Sequence, residues 1–181
     1  MSERYNVSIN RWDDGATRAH LARYYLARGF LGTSDRVLDV GCGTGYGSFL
    51  LSMRGACSVL GVDYSAEAIA TAKNIYTTPW TTFKQLDVER EPLPEEKFNV
   101  SVAIEVLEHL NDPKAVMEKI AKVTTRLIIY SVPTGEKKGA NPFHKQTFTV
   151  EQARQLGNID GWLPFHSFMQ GNHFINIIYK K

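Results

Sequence analysis

The feature that most constrains the fold is an apolar run, residues 36–40, that leads directly into a turn with glycine at every second position. The glycines occupy positions 41, 43, 45 and 47, and an apolar segment at 48–53 follows them. This order predicts a strand, a tight turn and an opening helix, the basic unit of an α/β fold. Glycine lacks a Cβ, so the turn can adopt positive φ and bring its backbone close to a ligand. Helix capping alone needs one glycine at most, and we therefore expect a ligand here.

Two common ligands of glycine-rich turns are excluded by the neighbouring residues. A dinucleotide-binding turn needs a small residue at position 46, where its last glycine packs the helix against the strand, and this chain has Tyr46. A phosphate-binding P-loop needs Lys followed by Ser or Thr after the glycines, and no such pair is present. The ligand is therefore expected to be neither a dinucleotide nor a nucleoside triphosphate.

Acidic residues recur at the carboxyl ends of the strand-like runs. Asp39 lies in the first run, Asp63 ends the second, Asp87 follows the third and Glu105 follows the fourth. Open α/β sheets bind ligands at this end, and nucleoside sites place the acceptor for ribose hydroxyls about 20 residues after the glycine turn. A single Asp in such a place is commonly a helix N-cap. Four acidic residues in succession beside a glycine turn favour a ligand site, with Asp63 as the ribose acceptor.

Strand-like and helix-like segments alternate through most of the chain, which predicts an α/β, doubly wound and mostly parallel sheet. The strand-like runs span residues 36–40, 57–62, 81–86, 98–104 and 126–132, and the helices lie near 45–54, 65–76 and 112–123. Two further runs, 163–170 and 173–179, are joined only by a Gly-Asn pair, which predicts a closing antiparallel hairpin. A helix capped by Thr149 is predicted at 150–156.

Composition excludes several other classes of protein. The chain has 181 residues, 43% hydrophobic and 22% charged, which is ordinary for one folded domain and argues against a disordered or fibrous protein. Its net charge of +2 is not concentrated in a stripe that would bind nucleic acid. The polar N-terminus and the lack of any apolar stretch of about 20 residues predict a cytoplasmic protein without a membrane segment. Cys42 and Cys57 match neither a metal-ligand spacing nor a disulfide framework and are expected to be buried thiols.

Four segments of the chain resemble, in their order and spacing, the class I S-adenosylmethionine-dependent methyltransferases. They are VLDVGCGTGYG, GVDYS, LDVERE and FNVSVAIEVLEHL, and they cover roughly residues 30–135. The resemblance implies a Rossmann-like sheet of seven strands, with S-adenosylmethionine as cofactor and S-adenosylhomocysteine as product. We expect a single domain with an N-terminal helical lid at 1–30, a cofactor-binding core at 31–135, and a substrate loop and closing hairpin at 136–181.

The same resemblance assigns cofactor roles to residues at the ends of the strands. Asp39 and the backbone of the turn would hold the methionine part of the cofactor, and Asp63 would bind both ribose hydroxyls. Tyr64 would lie against the adenine, Asp87 would accept from its exocyclic amine, and Val88 would offer its backbone N–H to the ring. The complete implied set is Asp39, Gly41, Cys42, Gly43, Gly45, Asp63, Tyr64, Asp87, Val88 and Glu105. Carboxylates suit these hydroxyl and amine donors, whereas they would repel a pyrophosphate.

A second group of candidate residues follows the fourth strand, in the sequence EVLEHL. Glu105, Glu108 and His109 share one face if this segment forms a helical turn. Two carboxylates and an imidazole can bind a divalent cation, since oxygen ligands suit Mg²⁺ or Mn²⁺ and the imidazole admits Mn²⁺, iron, cobalt or zinc. In the alternative, no metal binds, Glu105 contacts the cofactor, and His109 packs or acts as a base. The residues alone leave both interpretations open.

His144 lies in a later loop, after the fifth strand-like run. Together with EVLEH it resembles metal-dependent O-methyltransferases, namely the small-RNA 3′-terminal ribose 2′-O-methyltransferases and, more loosely, the ubiquinone-pathway O-methyltransferases. This resemblance implies Glu105, Glu108, His109 and His144 as ligands of a cation that holds two neighbouring hydroxyls of the acceptor. The chain is shorter than the RNA enzymes and lacks their RNA-binding parts and any cluster of stacking aromatics. A small diol is therefore favoured over a polynucleotide.

The predicted reaction is direct transfer of the sulfonium methyl to a hydroxyl oxygen of a small acceptor, in which positioning does most of the catalytic work. A cation would lower the pKa of the hydroxyl and orient it, whereas without a cation His109 or His144 would be the general base. The alternatives that stay open are a non-catalytic cofactor-binding partner subunit, and methylation of a terminal RNA ribose, an amine or a carboxylate. The sequence indicates no oligomeric state.

Overall fold

The computed structural model describes residues 15–55 and 57–181, so that the first half of the predicted lid, residues 1–14, lies outside the described residues. The strands of the described part are β1 (Arg36–Val40), β2 (Ser58–Asp63), β3 (Thr81–Gln85), β4 (Phe98–Ile104), β5 (Thr124–Pro133), β6 (Trp162–Gln170) and β7 (His173–Lys180). They form a seven-stranded sheet in the order β3-β2-β1-β4-β5-β7-β6. The predicted α/β, Rossmann-like sheet is confirmed.

The described helices are α1 (Gly15–Gly29), α2 (Tyr46–Ser52), α3 (Ala66–Tyr76), α4 (Pro113–Val123) and α5 (Val150–Gln155), with a short 3-10 helix at Leu107–His109. Side-chain oxygens cap the first turns of three of them, α3, α4 and α5. Ser65 caps α3 and Asp112 caps α4, each accepting a hydrogen bond from a backbone N–H of the first turn. Thr149 and Gln152 form a capping box at the start of α5. The predicted cap at Thr149 is therefore confirmed.

The chain divides into two compact units, Met1–Asp87 and Val88–Lys181. In the first unit β1, β2 and β3 are parallel neighbours, and Val40 of β1 is in register with Val62 of β2. The side chains of Leu38 and Val40 are fully buried. The carboxyl ends of β1 and β2 consequently lie side by side, where the glycine turn follows β1 and Asp63 ends β2.

In the second unit β4 and β5 are parallel, whereas β7 runs antiparallel to both β5 and β6. This arrangement confirms the predicted closing hairpin, in which Gly171 adopts φ +60°. Ile128, Ile129 and Tyr130 of β5 are fully buried, as expected for a strand with neighbours on both sides. The Tyr130 hydroxyl donates to the carbonyl of Ala153 at 2.9 Å, which ties α5 to the sheet.

Two expectations from composition concern the thiols and membrane segments. Cys42 and Cys57 are free and buried, which confirms the prediction. Burial raises the pKa of the Cys57 thiol to about 11 and that of the Cys42 thiol well above its ordinary value. Within the described ranges, no helix combines the length and the apolar character needed to cross a membrane.

The cap of α4 generates a stability prediction. The Asp112 carboxylate accepts from the Ala115 N–H at 2.9 Å, so Asp112→Ala leaves that N–H without its partner at the helix start. We expect the free energy of unfolding to fall by about 1 kcal/mol in urea titrations. Glu118→Ala removes the same charge from an exposed position within α4 and is the matched control, with an expected change below about 0.5 kcal/mol. Equal losses for the two variants would contradict the capping role.

Candidate functional site

Asp63 anchors the glycine turn of the first unit. The backbone N–H of Gly43 donates to Oδ2 of Asp63 at 2.9 Å, and the N–H of Ser65 donates to Oδ1 at 2.9 Å. The carboxylate therefore joins the turn after β1 to the start of α3 while its side chain is largely buried. Each carboxylate oxygen can accept a second hydrogen bond. Asp63 is thus both a structural link and an available acceptor at the carboxyl end of β2.

Three further backbone N–H groups of the turn are paired with carbonyl oxygens of β2 or of the turn. The N–H groups of Gly41 and Cys42 both donate to the carbonyl of Val62, at 2.8 and 3.0 Å, and the N–H of Gly45 donates to the carbonyl of Cys42 at 3.0 Å. Gly43 has φ +54°, and a Cβ built there would meet nothing within 4 Å. The face of the turn at Gly43 is therefore where a ligand can approach the backbone closely.

Asp39 lies beneath the turn with its side chain completely buried. Ser48 Oγ donates to its Oδ2 at 2.6 Å, and the Tyr24 hydroxyl donates to its Oδ1 at 3.2 Å. Burial raises the pKa of the Asp39 carboxyl to about 7; the two hydrogen bonds oppose this shift and the neighbouring charge of Asp63 adds to it. Both carboxylate oxygens are thus held by side chains of the protein, a feature that the sequence did not indicate.

The residues that were predicted to bind the nucleoside follow the ends of β2 and β3 in the chain. Tyr64 directly follows Asp63, and 65% of its side chain is exposed. Asp87 is half-buried and Val88 is buried. The Gln85 side chain donates to the backbone carbonyl of Tyr64 at 3.2 Å, which fixes the backbone that carries the exposed ring.

Glu105 lies apart from the imidazoles that the sequence grouped with it. Its backbone has φ +55°, an uncommon conformation for a residue with a side chain, and the following 3-10 helix contains only Leu107–His109. The expected helical turn from residue 105 therefore does not form, because this φ interrupts it. Ser131 Oγ donates to Oε1 of Glu105 at 2.6 Å, and His173 Nδ1 lies 2.7 Å from Oε2. His173, at the start of β7, was not predicted from sequence.

Glu108, His109 and His144 form a cluster in the second unit. Each offers one ligand atom, and these atoms all lie within 4.8 Å of one another. The two imidazole rings are 4.9 Å apart between centroids and meet edge to face. Glu108 is almost fully buried, and its backbone carbonyl accepts from the N–H groups of Lys145 and Gln146, which holds the loop of His144 against the 3-10 helix. Three of the four predicted metal ligands are therefore brought together.

Contacts at the Nδ1 atoms of His109 and His144 fix the orientation of the two imidazoles. His109 Nδ1 lies 3.0 Å from the carbonyl oxygen of Phe143, and His144 Nδ1 lies 2.6 Å from Oε2 of Glu136. Both Nδ1 atoms face acceptors, so they carry the protons and the Nε2 lone pairs face away from them. Asn141 Nδ2 lies 3.1 Å from His144 Nε2. No spacing rule in the sequence indicates Glu136 or Asn141, because both belong to an irregular loop.

A model of the family described as "Methyltransferase domain" matches residues 38–126, which include the glycine turn, Asp63 and the EVLEH segment. A Mycobacterium tuberculosis protein named "Probable S-adenosylmethionine-dependent methyltransferase Rv3030" is 31% identical over 132 residues, which are 68% of this chain and 47% of that protein. The chain belongs to the S-adenosylmethionine-dependent methyltransferase family. The Neisseria meningitidis "Ubiquinone biosynthesis O-methyltransferase" is 34% identical over 95 residues, 49% of this chain and 39% of that enzyme. This methyltransferase-family chain spans about half or less of the length of these curated relatives.

Solved structures support the same fold. Magnesium protoporphyrin IX methyltransferase from Synechocystis, crystallised with bound S-adenosylhomocysteine, superposes with a TM-score of 0.76. The alignment covers 91% of this chain and 85% of that enzyme at 18% identity. At this identity the likeness establishes the methyltransferase fold and leaves the acceptor to other arguments.

The buried Asp39 of this methyltransferase-family turn generates a pH prediction. Its native pKa of about 7 lies above the ordinary value of 3.8, so the native state binds more protons than the unfolded state between these values. The stability contributed by protonated Asp39 is therefore fully present below about pH 4 and is lost as the pH rises through about 7. We expect the unfolding free energy of wild type, minus that of Asp39→Asn, to decrease from about pH 4.5 to about pH 7.5 in urea titrations.

Asp160→Asn, which makes the same substitution at an exposed position, is the control for the chemical change. A difference between wild type and Asp39→Asn that stays constant or increases over this pH range would contradict the raised pKa of Asp39.

Proposed function

We propose that the chain binds S-adenosylmethionine at the glycine turn and transfers its methyl group to a hydroxyl of a small acceptor. The observation that carries the proposal is the turn itself, tied to Asp63 and open at Gly43, in a chain of the methyltransferase family. The cofactor supplies an activated methyl group on a sulfonium. The protein's part is to bind the cofactor, orient the acceptor and receive the hydroxyl proton.

The residues of the first unit fit the cofactor by their chemistry. Asp63 keeps acceptor capacity on both oxygens beyond its two backbone bonds, which suits a pair of ribose hydroxyls. The exposed ring of Tyr64 offers a surface for the adenine, and Asp87 is an acceptor for its exocyclic amine. A role for the Val88 N–H as donor to the adenine ring stays a prediction, since Val88 begins the second unit. The Asp39 carboxylate, buried next to the turn, is proposed to favour binding of the methionine part by its negative charge.

The cluster of the second unit fits a divalent cation. One carboxylate and two imidazoles are a donor set for Mn²⁺, and the acceptors opposite both Nδ1 atoms make Nε2 the proposed ligand atom of each imidazole. A cation would replace the hydrogen bond that Asn141 Nδ2 donates to Nε2 of His144 at 3.1 Å. When bound, a cation there would lower the pKa of an acceptor hydroxyl. Glu105 remains a proposed ligand or cofactor contact, although its carboxylate now lies against Ser131 and His173.

The same imidazoles can act as the general base when no cation is bound. Nε2 of His109 or His144 would then receive the proton that leaves the hydroxyl as the new carbon–oxygen bond forms and the carbon–sulfur bond breaks. His109 is the more accessible of the two, with a side chain that is 31% exposed against 8% for His144. His109 is therefore the proposed base, and His144 a fixed neighbour that orients the acceptor.

The proposed acceptor is a small diol. A cation held by the three side chains of the cluster would have further coordination positions for two neighbouring hydroxyls, and the ubiquinone-biosynthesis relative is named as an O-methyltransferase. A nucleic-acid acceptor is less favoured, because the net charge is only +2 and the sequence contains no run of Lys and Arg that would form a basic stripe. The division into lid, core and substrate loop stays a prediction, as does a cytoplasmic location.

The open face at Gly43 provides a direct test of cofactor binding. Gly43 and Gly55 both have positive φ, +54° and +85°, and a Cβ at either position meets nothing within 4 Å. Alanine at either site should therefore add a similar amount of backbone strain, about 1–2 kcal/mol. We expect Gly43→Ala to weaken S-adenosylhomocysteine binding by about 10-fold or more, equivalent to about 1.4 kcal/mol, in calorimetric titrations.

Gly55→Ala is the matched control and should retain wild-type affinity, because it lies after α2 and outside the turn. Equal affinities of the two variants would show that the ligand does not approach Gly43, and the cofactor proposal would then fail at its central contact.

The cation is tested separately, with Mn²⁺ alone as the probe. After chelator treatment and buffer exchange, the wild type should bind Mn²⁺, and His144→Ala should weaken that binding by at least about 10-fold in calorimetric or paramagnetic titrations. His166→Ala removes an exposed histidine of β6 and should leave Mn²⁺ affinity unchanged. Absence of Mn²⁺ binding in the wild type would favour the imidazole base over the cation.

A further inference from the structure

The fourth glycine of the turn, Gly47, is explained by a contact rather than by φ. A Cβ built on Gly47 would lie 2.2 Å from the ring of Tyr24, a distance at which the helices could not keep their present spacing. Glycine at this position thus lets Tyr24 of α1 reach across α2. The Tyr24 side chain is 2% exposed, and its hydroxyl donates to Asp39.

Three elements of the first unit therefore meet at one carboxylate. Asp39 belongs to β1, Ser48 to α2 and Tyr24 to α1, and the two hydroxyls occupy both oxygens of Asp39. The turn lies between the end of β1 and the start of α2, so both of its ends are fixed through this carboxylate. The family model begins at residue 38, and α1 is outside the match. A role for Tyr24 therefore rests on the contacts seen in this chain and not on the family match.

We propose that Tyr24 is a positioning residue of the cofactor site, acting through its hydrogen bond to Asp39 to hold the orientation and the negative charge of that carboxylate beneath the glycine turn. The inference rests on the proposed function, because it assigns Asp39 to the methionine part of S-adenosylmethionine. The ammonium of that part is cationic and favours an ionised carboxylate. Tyr24 is too deeply buried to reach a ligand at the surface of the turn, and it would act on the cofactor only through Asp39.

The groups that face Asp39 determine whether loss of the Tyr24 hydroxyl raises or lowers the pKa of the Asp39 carboxyl. Tyr24 and Ser48 donate hydrogen bonds that stabilise the ionised carboxylate, whereas the nearby charge of Asp63 opposes ionisation. Cys42 of the turn is a buried thiol whose pKa is raised by burial and by Asp39. Beyond them, Tyr46 contacts His20 and Tyr24 through its ring. Among these side chains, the two hydroxyls that touch Asp39 are the groups that lower its pKa.

Loss of the Tyr24 hydroxyl should therefore raise the pKa of Asp39 above about 7. At neutral and lower pH a larger share of Tyr24→Phe molecules would carry a protonated Asp39, whereas at about pH 8.5 most molecules of both proteins would be ionised. The affinity loss is therefore expected to depend on pH. A purely structural role of Tyr24 would weaken binding equally at every pH.

The test is calorimetric titration with S-adenosylhomocysteine at two pH values. Tyr24→Phe should bind about 3- to 10-fold more weakly than wild type at about pH 6.5, corresponding to a shift of about 0.5–1 pKa unit. At about pH 8.5 the affinities of Tyr24→Phe and wild type should differ by less than about twofold. Tyr25→Phe makes the same change at the next residue of α1, which is 52% exposed, and should match wild type at both pH values.

Ser48→Ala is the second variant, since it removes the other donor to Asp39 and should show the same pH-dependent loss. Circular dichroism melts establish that each variant is folded. A loss that is equal at both pH values, or no loss in either variant, would overturn the positioning role. Failure of the wild type to bind S-adenosylhomocysteine at either pH would instead overturn the proposed function, and the inference with it.

Discussion

The hydrogen bond from Gly43 N–H to the Asp63 carboxylate is the interaction on which the first unit depends. It connects a turn that follows one strand with the end of the neighbouring strand, and the second oxygen of Asp63 extends the link to Ser65 at the start of α3. A charge-assisted bond of this kind is stronger than a neutral one. Because the carboxylate already serves the backbone, its position is fixed before any ligand arrives. That pre-organisation reduces the conformational cost of binding.

Local signals made the fold predictable from the sequence. Strand and helix periods alternate along the chain and turn residues separate them, so the mostly parallel sheet and its closing hairpin followed from local patterns, whereas the count of seven strands in one sheet came from the family resemblance. The caps at Asp112 and Thr149 are equally local, since each side chain serves an N–H three residues away. The turn at residues 41–47 was recognisable for the same reason, because its glycines occur in a fixed local pattern.

The details of the site were not predictable, because they depend on side chains that meet across the fold. Tyr24 reaches Asp39 only because Gly47 leaves room for its ring, a relation that no local spacing encodes. Glu105 was grouped with the imidazoles on the assumption of a helical turn, whereas its φ of +55° directs its carboxylate to Ser131 and His173. Residue type and sequence spacing indicate which groups are chemically able to act. The backbone conformation decides which of them meet.

The central claim is that the turn anchored by Asp63 binds the nucleoside of S-adenosylmethionine. The most direct measurement is a crystal structure of this protein with S-adenosylhomocysteine. We expect both ribose hydroxyls within about 3.2 Å of the Asp63 carboxylate, which is hydrogen-bond distance, with the ligand passing over the face of Gly43. A ligand bound elsewhere, or no bound ligand in crystals soaked at saturating concentration, would contradict the claim.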